Sequence, residues 1–171
     1  MQDSELKSLI DKLIPPSDYQ HRNGFSNEAL LNSLTIKEKV IVEDVLIDRL
    51  IQDKGLDDLI IESLAILKSQ KAVPVLRERI VNASDEFKII ISTAIFEITK
   101  EKDVYEIAKE AFKRIEANKD GYHNIRIVQM FYYLGRLMSP EINEIISGFT
   151  DHPDYIVSYN AKRYSHRPNH Q

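Results

Sequence analysis

No cysteine occurs in the 171 residues of the chain. Disulfides, thiolate metal sites and a cysteine nucleophile are therefore excluded, and a reducing compartment suits the composition. Glycine and proline are scarce, at five and six residues, which leaves little material for long loops. No uninterrupted apolar run approaches the roughly 18 residues that span a bilayer. The amino-terminal stretch MQDSELKSLIDKLIPP carries acids and has no apolar core of signal-peptide length. A soluble cytoplasmic protein is the expectation. A basic surplus is also missing: 23 Lys and Arg stand against 27 Asp and Glu, a net charge of −4. A dedicated nucleic-acid binder usually carries the opposite balance, so nucleic acid is not an expected partner. GxSxG, HExxH, a phosphate-cradling glycine loop and a dinucleotide fingerprint are all absent. No catalytic residue, cofactor or metal is therefore expected.

What is present is ordinary for a globular chain, with 43% hydrophobic and 29% charged residues. The length suits one domain with a real core. Residues 4–14 put Leu6, Leu9, Ile10, Leu13 and Ile14 on one helical face, and Pro15-Pro16 stops it. SDYQHRNG, residues 17–24, reads as a loop. A short helix over 27–34 follows. Thr35 and Glu38 form a capping box that opens the longest helix, 36–53, closed at Gly55. Paired helices follow at 57–68 with 72–81, at 85–99 with 104–116, and at 125–138 with 140–149. A last helix covers about 154–164, and 166–171 reads as a frayed tail. The expectation is nine or ten helices and no strand.

Two stretches are one helical unit written twice. Residues 56–79 read LDDLIIESLAILKSQKAVPVLRER, and 87–110 read FKIIISTAIFEITKEKDVYEIAKE. A slide of 31 residues sets Leu64 on Ile95, Leu67 on Ile98, Val73 on Val104 and Leu76 on Ile107. A helix pair cannot bury its own apolar side, so a repeated pair implies a stacked array. Leu64, Leu67, Ile95, Ile98, Leu134 and Leu137 are the expected equivalent core positions of three consecutive inner helices.

The KAVPVL string at 71–76, preceded by Glu62-Ser63-Leu64, resembles the HEAT-like, phycobilin-lyase-type repeats of bacterial helical-solenoid proteins. The resemblance covers roughly residues 36–165, with 1–34 as added N-terminal helices and loop. It implies an all-α fold, a right-handed α-solenoid of about four helical hairpins. The class places an Asp and an Arg at the start of each inner helix. Here Arg126 stands at the arginine position of one unit, while Asp58 and Ile89 stand near it in the others. The resemblance implies no single activity, because such scaffolds host binding modules, inhibitors and a few enzymes.

The charged clusters have plain explanations. Glu43, Asp44 and Asp48 suit a solvated helix face, and Asp57-Asp58 suits a helix start. Among His21, His123, His152, His166 and His170, the last two have ligand-like spacing, but Pro168 lies between them and no third ligand follows. The tyrosines are more telling. Seven of eight lie from Tyr105 onward, and the carboxy-terminal third from Lys119 is near neutral. Tyrosine and arginine together mark interface hot spots. Arg126, Tyr132, Arg136, Tyr155, Tyr159 and Arg163 are candidates, with Arg126, Tyr133, Arg136, Tyr159 and Arg163 expected to be exposed on one patch. The expected function is non-catalytic binding of a protein or peptide, one version being a bacterial immunity or antitoxin-type protein. The alternative is an enzyme on the HEAT-like scaffold, glycosylase-like for DNA repair or lyase-like for a chromophore.

Overall fold

The computed structural model describes residues 3–52 and 55–165. Among these stand eleven α-helices and no strand, so the all-α expectation holds. The expected tail at 166–171, with His166 and His170, lies outside the described residues, as does Asp53 at the expected end of the long helix. The chain gathers into two compact units that divide between Val75 and Leu76.

The first unit begins with α1 (Asp3–Leu13), which buries Ile10 and Leu13. A short helix, α2 (Tyr19–Arg22), stands inside the stretch read as a loop. The cause is local: the His21 N–H donates to Asp18 Oδ1 at 3.0 Å and caps the turn. After α3 (Glu28–Ser33) comes α4 (Ile36–Gln52). Its capping box is formed, with the Thr35 N–H donating to Glu38 Oε2 at 2.8 Å and the Glu38 N–H to Thr35 Oγ1 at 3.3 Å. Val42, Leu46 and Leu50 recur every four residues and are buried. On the other side, Lys71 Nζ meets Glu43 at 3.3 Å and Asp44 at 3.1 Å, which accounts for these acids as a surface ion pair. Then α5 (Asp58–Ile66) is capped by Asp57.

Two polar ties hold this unit. The Arg22 guanidinium donates to both Asp57 oxygens at 2.7 Å, and to the Pro15 carbonyl at 2.8 and 3.1 Å. One side chain thus pins the proline turn and the head of α5. Asn27 is 3% exposed, and its amide donates to the Leu13 carbonyl at 2.9 Å and to Ser63 Oγ at 2.8 Å. The Ser63 hydroxyl in turn donates to the Leu59 carbonyl at 2.6 Å. A buried polar group stabilises only when it is satisfied, and this chain of bonds satisfies both.

A 3₁₀ turn at Gln70–Ala72 leads into α6 (Val73–Arg79), which runs across the division. The second unit holds α7 (Asp85–Thr99), α8 (Tyr105–Ala117), α9 (His123–Leu134), α10 (Pro140–Ser147) and α11 (Tyr155–Ser165). Four helix starts are capped as their sequences suggest, with Ser84 at α7, Ser139 before Pro140 at α10, Asp57 at α5, and Asp154 accepting from the Ile156 and Val157 amides at α11.

Three of the turns between helices share a backbone feature. Lys68, Lys100 and Met138 have φ of 55°, 64° and 52°, and each follows the first helix of a pair. Four and eight residues beyond each stand two buried side chains: Ala72 and Leu76, Val104 and Ala108, Ile142 and Ile146. Counted from the left-handed residue, Val104 therefore matches Ala72, and the register is one residue longer than the 31-residue slide. Val73, set on Val104 by the slide, is only half-buried. Of the six expected core positions, Leu64, Ile95, Ile98, Leu134 and Leu137 are buried and Leu67 is half-buried.

Successive pairs in the second unit run in the same direction. Glu86 near the start of α7 faces Arg126 near the start of α9, while Glu97 near its end binds Arg136 just past the end of α9. Lys109 of α8 meets Glu141 of α10 at 2.6 Å, and Tyr105 donates to the Leu137 carbonyl at 2.6 Å. Phe112, Phe131 and Phe149 form an aromatic cluster between these helices, with centroids 5.3 to 6.0 Å apart.

Candidate functional site

The α9 helix buries Ile127, Met130, Phe131 and Leu134. The spacing of those residues leaves Ile125, Gln129 and Tyr132 on the outer side, and all three are exposed. The α11 helix buries Val157, Ala161, Tyr164 and Ser165, and exposes Tyr155, Ile156, Tyr159, Lys162 and Arg163. The two helices lie side by side and parallel. At their starts Asn124 donates to Asp154 Oδ2 at 2.9 Å, and at their ends the Tyr132 and Tyr164 rings meet edge to face at 6.2 Å. Gly135 permits the close approach, since a Cβ there would lie 3.3 Å from the Tyr164 carbonyl oxygen. The outer sides of these two neighbouring helices are aromatic and aliphatic, with Ile125 57%, Tyr132 38%, Tyr155 75%, Ile156 61% and Tyr159 53% exposed. Patches of this kind on soluble folds usually mark contact sites.

The five favoured residues divide on this face. Tyr159 and Arg163 are exposed as expected. Tyr133 is half-buried and Tyr132 takes the outer position instead, one turn on from exposed Gln129, while the Tyr133 carbonyl accepts from the Thr93 hydroxyl of α7 at 3.2 Å. Arg126 is half-buried and spent on Asp120 at 2.8 Å, with Glu86 at 3.9 Å. Arg136 is held by Glu97 through two bonds of 2.9 and 2.6 Å, a bidentate clamp. Its guanidinium also lies 4.9 Å from the Tyr132 ring centroid and 5.8 Å from that of Tyr133. Both guanidinium charges are therefore met within the chain, and Arg136 also packs against the tyrosine rings. Arg163 differs: it lies 5.5 Å from the Tyr164 ring, and no carboxylate among the described residues pairs with it. Ile125 and Ile156 were not candidates from sequence. Their distance from buried Ile127 and Val157 on the helical wheel is the signal that marks them.

The side made by the second helices has the opposite character. Arg77 binds Glu101 and Asp103, Arg114 binds Asp85, and Lys109 lies between Glu106 and Glu141. Each of these three cations is thus matched or outnumbered by acids of its own chain. The Lys109 ammonium is held well above its usual range by hydrogen bonds to Glu106 and Glu141, and the Glu141 carboxyl is held low by the same contact. At the head of α11, the Val157 N–H and the Asn124 amide hold the Asp154 carboxyl below the usual carboxylate range.

No group of three His, Asp or Glu among the described residues is placed to hold a metal. A surface depression lined by Ser4, Glu5, Ser8, Leu9, Lys12 and Leu30 brings one acid and one base to a mainly apolar and hydroxyl wall. No described helix is long and apolar enough to cross a membrane. No protein-family model, curated protein or solved structure matches the chain.

Proposed function

We propose that the chain is a non-catalytic, HEAT-like binding module of the cytoplasm, built as a right-handed α-solenoid, which offers its α9–α11 face to a protein or peptide. The observation that carries this reading is the open Ile125, Gln129, Tyr132, Tyr155, Tyr159 surface on two parallel helices. Support for the repeat class comes from the three left-handed turn residues, each followed by buried side chains four and eight positions on. A face fixed on helices costs little ordering entropy when a partner docks. Tyrosine supplies rigid area with a polar tip, the usual anchor of an interface.

Charge narrows the class of partner for the chain as a whole. Residues 1–75 hold 9 Lys and Arg against 13 Asp and Glu. An acidic chain associates faster with a basic protein. An immunity or antitoxin-type protein that masks a basic nuclease is the version this balance favours. The test is a photo-crosslinking residue placed at Tyr159 and, as control, at Tyr19, which is 78% exposed in the other unit. The expected outcome in the native host is a discrete protein adduct from position 159 and none from 19. Equal adducts from both positions, or none from 159, would remove the face from the account.

A further inference from the structure

We propose that a second copy of the chain occupies the α11 part of this face, docked α11 against α11 in antiparallel about a twofold axis near Tyr159. The proposal rests on the reading of the α9–α11 face as a docking surface, and it names the occupant.

Charge is ordered along this one helix. Asp151 and Asp154 stand at the head of α11, while Lys162 and Arg163 stand at its end. Between them Tyr155, Ile156 and Tyr159 form an uncharged, exposed middle, with the two tyrosine rings 5.9 Å apart and 32° from parallel. A surface acidic at one end, basic at the other and apolar between is complementary to itself under a twofold axis. Each residue then meets the one equally far on the other side of Tyr159. Arg163 lies over Tyr155 of the second copy, next to its Asp151 turn. A parallel docking would set like charges together, so the charge order also selects the direction.

The unspent charge supports the same conclusion. In this unit Arg77, Arg114, Arg126 and Arg136 each engage a carboxylate of their own chain. Arg163 and Lys162 have no carboxylate partner among the described residues, and neither has Asp151 a cation. An antiparallel contact brings the basic end of each copy toward the acidic turn at the head of the other, within reach of the long Arg163 side chain. An isologous contact of this type closes at two copies and does not propagate. Its core is a single helix pair flanked by Ile125 and Tyr132, so the interface falls near the small end of specific interfaces, about 1,200 Å². A dimer in the micromolar range is expected.

Sedimentation equilibrium on the full chain tests it. The apparent mass should rise with concentration from 19.8 kDa towards twice that value. Arg163→Asp and Asp151→Arg should each weaken association at least about tenfold, and the combined swap should restore most of it, as coupled charge pairs do. Circular dichroism checks that the variants fold, and Lys162→Glu gives a second route to the same loss. A chain that stays monomeric throughout the micromolar range overturns the proposal. So does a dimer indifferent to both swaps, since it would use another surface. If the chain is monomeric but Tyr159 still crosslinks a different protein, the second copy is excluded and the binding face stands. If neither is seen, both fall.

Discussion

Leu64→Ala and Ile95→Ala should each lower the free energy of unfolding by about 2–5 kcal/mol in chemical denaturation. Both side chains are 0% exposed, in α5 and α7 respectively, so truncation removes buried methyl groups and leaves a cavity. The cost has two parts, the lost transfer free energy and the contacts that surrounding atoms cannot recover. Leu67→Ala is the internal comparison. It has the same chemistry but is half-buried, and solvent can fill the space, so a loss of about 1 kcal/mol is expected. A loss below about 0.5 kcal/mol at both Leu64 and Ile95 would contradict the packing described for α5 and α7.

Arg22→Ala should cost about 2–3 kcal/mol in the first unit. The guanidinium makes two bonds to Asp57 and two to the Pro15 carbonyl, with 18% and 21% of the Arg22 and Asp57 side chains exposed. Removing it leaves a half-buried carboxylate with the Leu59 N–H for company and without its cation. The same pair sets a pH dependence. Burial alone would push the Asp57 carboxyl up, but the Arg22 hydrogen bonds, the Arg22 charge and the Leu59 amide together hold it below its ordinary value. A carboxyl depressed in the folded state stabilises fully above its unfolded pKa, near 3.8. That stability is lost as pH falls through the lower folded value. Denaturation series from pH 7 downward should therefore show the wild type losing this contribution below about pH 4, with a shallower fall in Arg22→Ala. Identical pH slopes in the two proteins would show that the pair contributes nothing.

Much of the architecture was legible because helical periodicity and capping are local. The Thr35–Glu38 box, Ser139-Pro140 and the break at Pro15-Pro16 all stand where their chemistry predicts. The repeat register was less legible for two reasons. Residues 89–96 of α7 are all buried, so apolar spacing there cannot distinguish a slide of 31 from one of 32. The turns that would fix the register use Lys68, Lys100 and Met138 in the left-handed conformation, where glycine is the usual sequence signal. The short α2 was hidden because its cap, Asp18, sits among residues that also favour turns.

The candidate face was half legible. Clustering of tyrosines pointed to α9 and α11, but adjacent Tyr132 and Tyr133 cannot be ranked without the neighbouring helix. Glu97, which clamps Arg136, is 39 residues away in sequence, and Glu86 lies 40 from Arg126. Such distant pairs leave no local pattern. Arginines that looked available are consumed within the chain, and the apolar residues beside them, Ile125 and Ile156, carry more of the exposed area.

The central claim is that the α9–α11 face binds a partner while the core beneath it folds independently of that role. The most direct measurement is the affinity of the protein crosslinked from position 159 for wild type, Tyr159→Ala, Tyr132→Ala and the remote control Tyr19→Ala, with a melting temperature for each. The account predicts that Tyr159→Ala weakens binding by about 1–3 kcal/mol and leaves the melting temperature nearly unchanged. Tyr132→Ala should weaken it in the same direction, and Tyr19→Ala should match wild type. Unchanged affinity for Tyr159→Ala, or an equal loss at Tyr19, would contradict the claim.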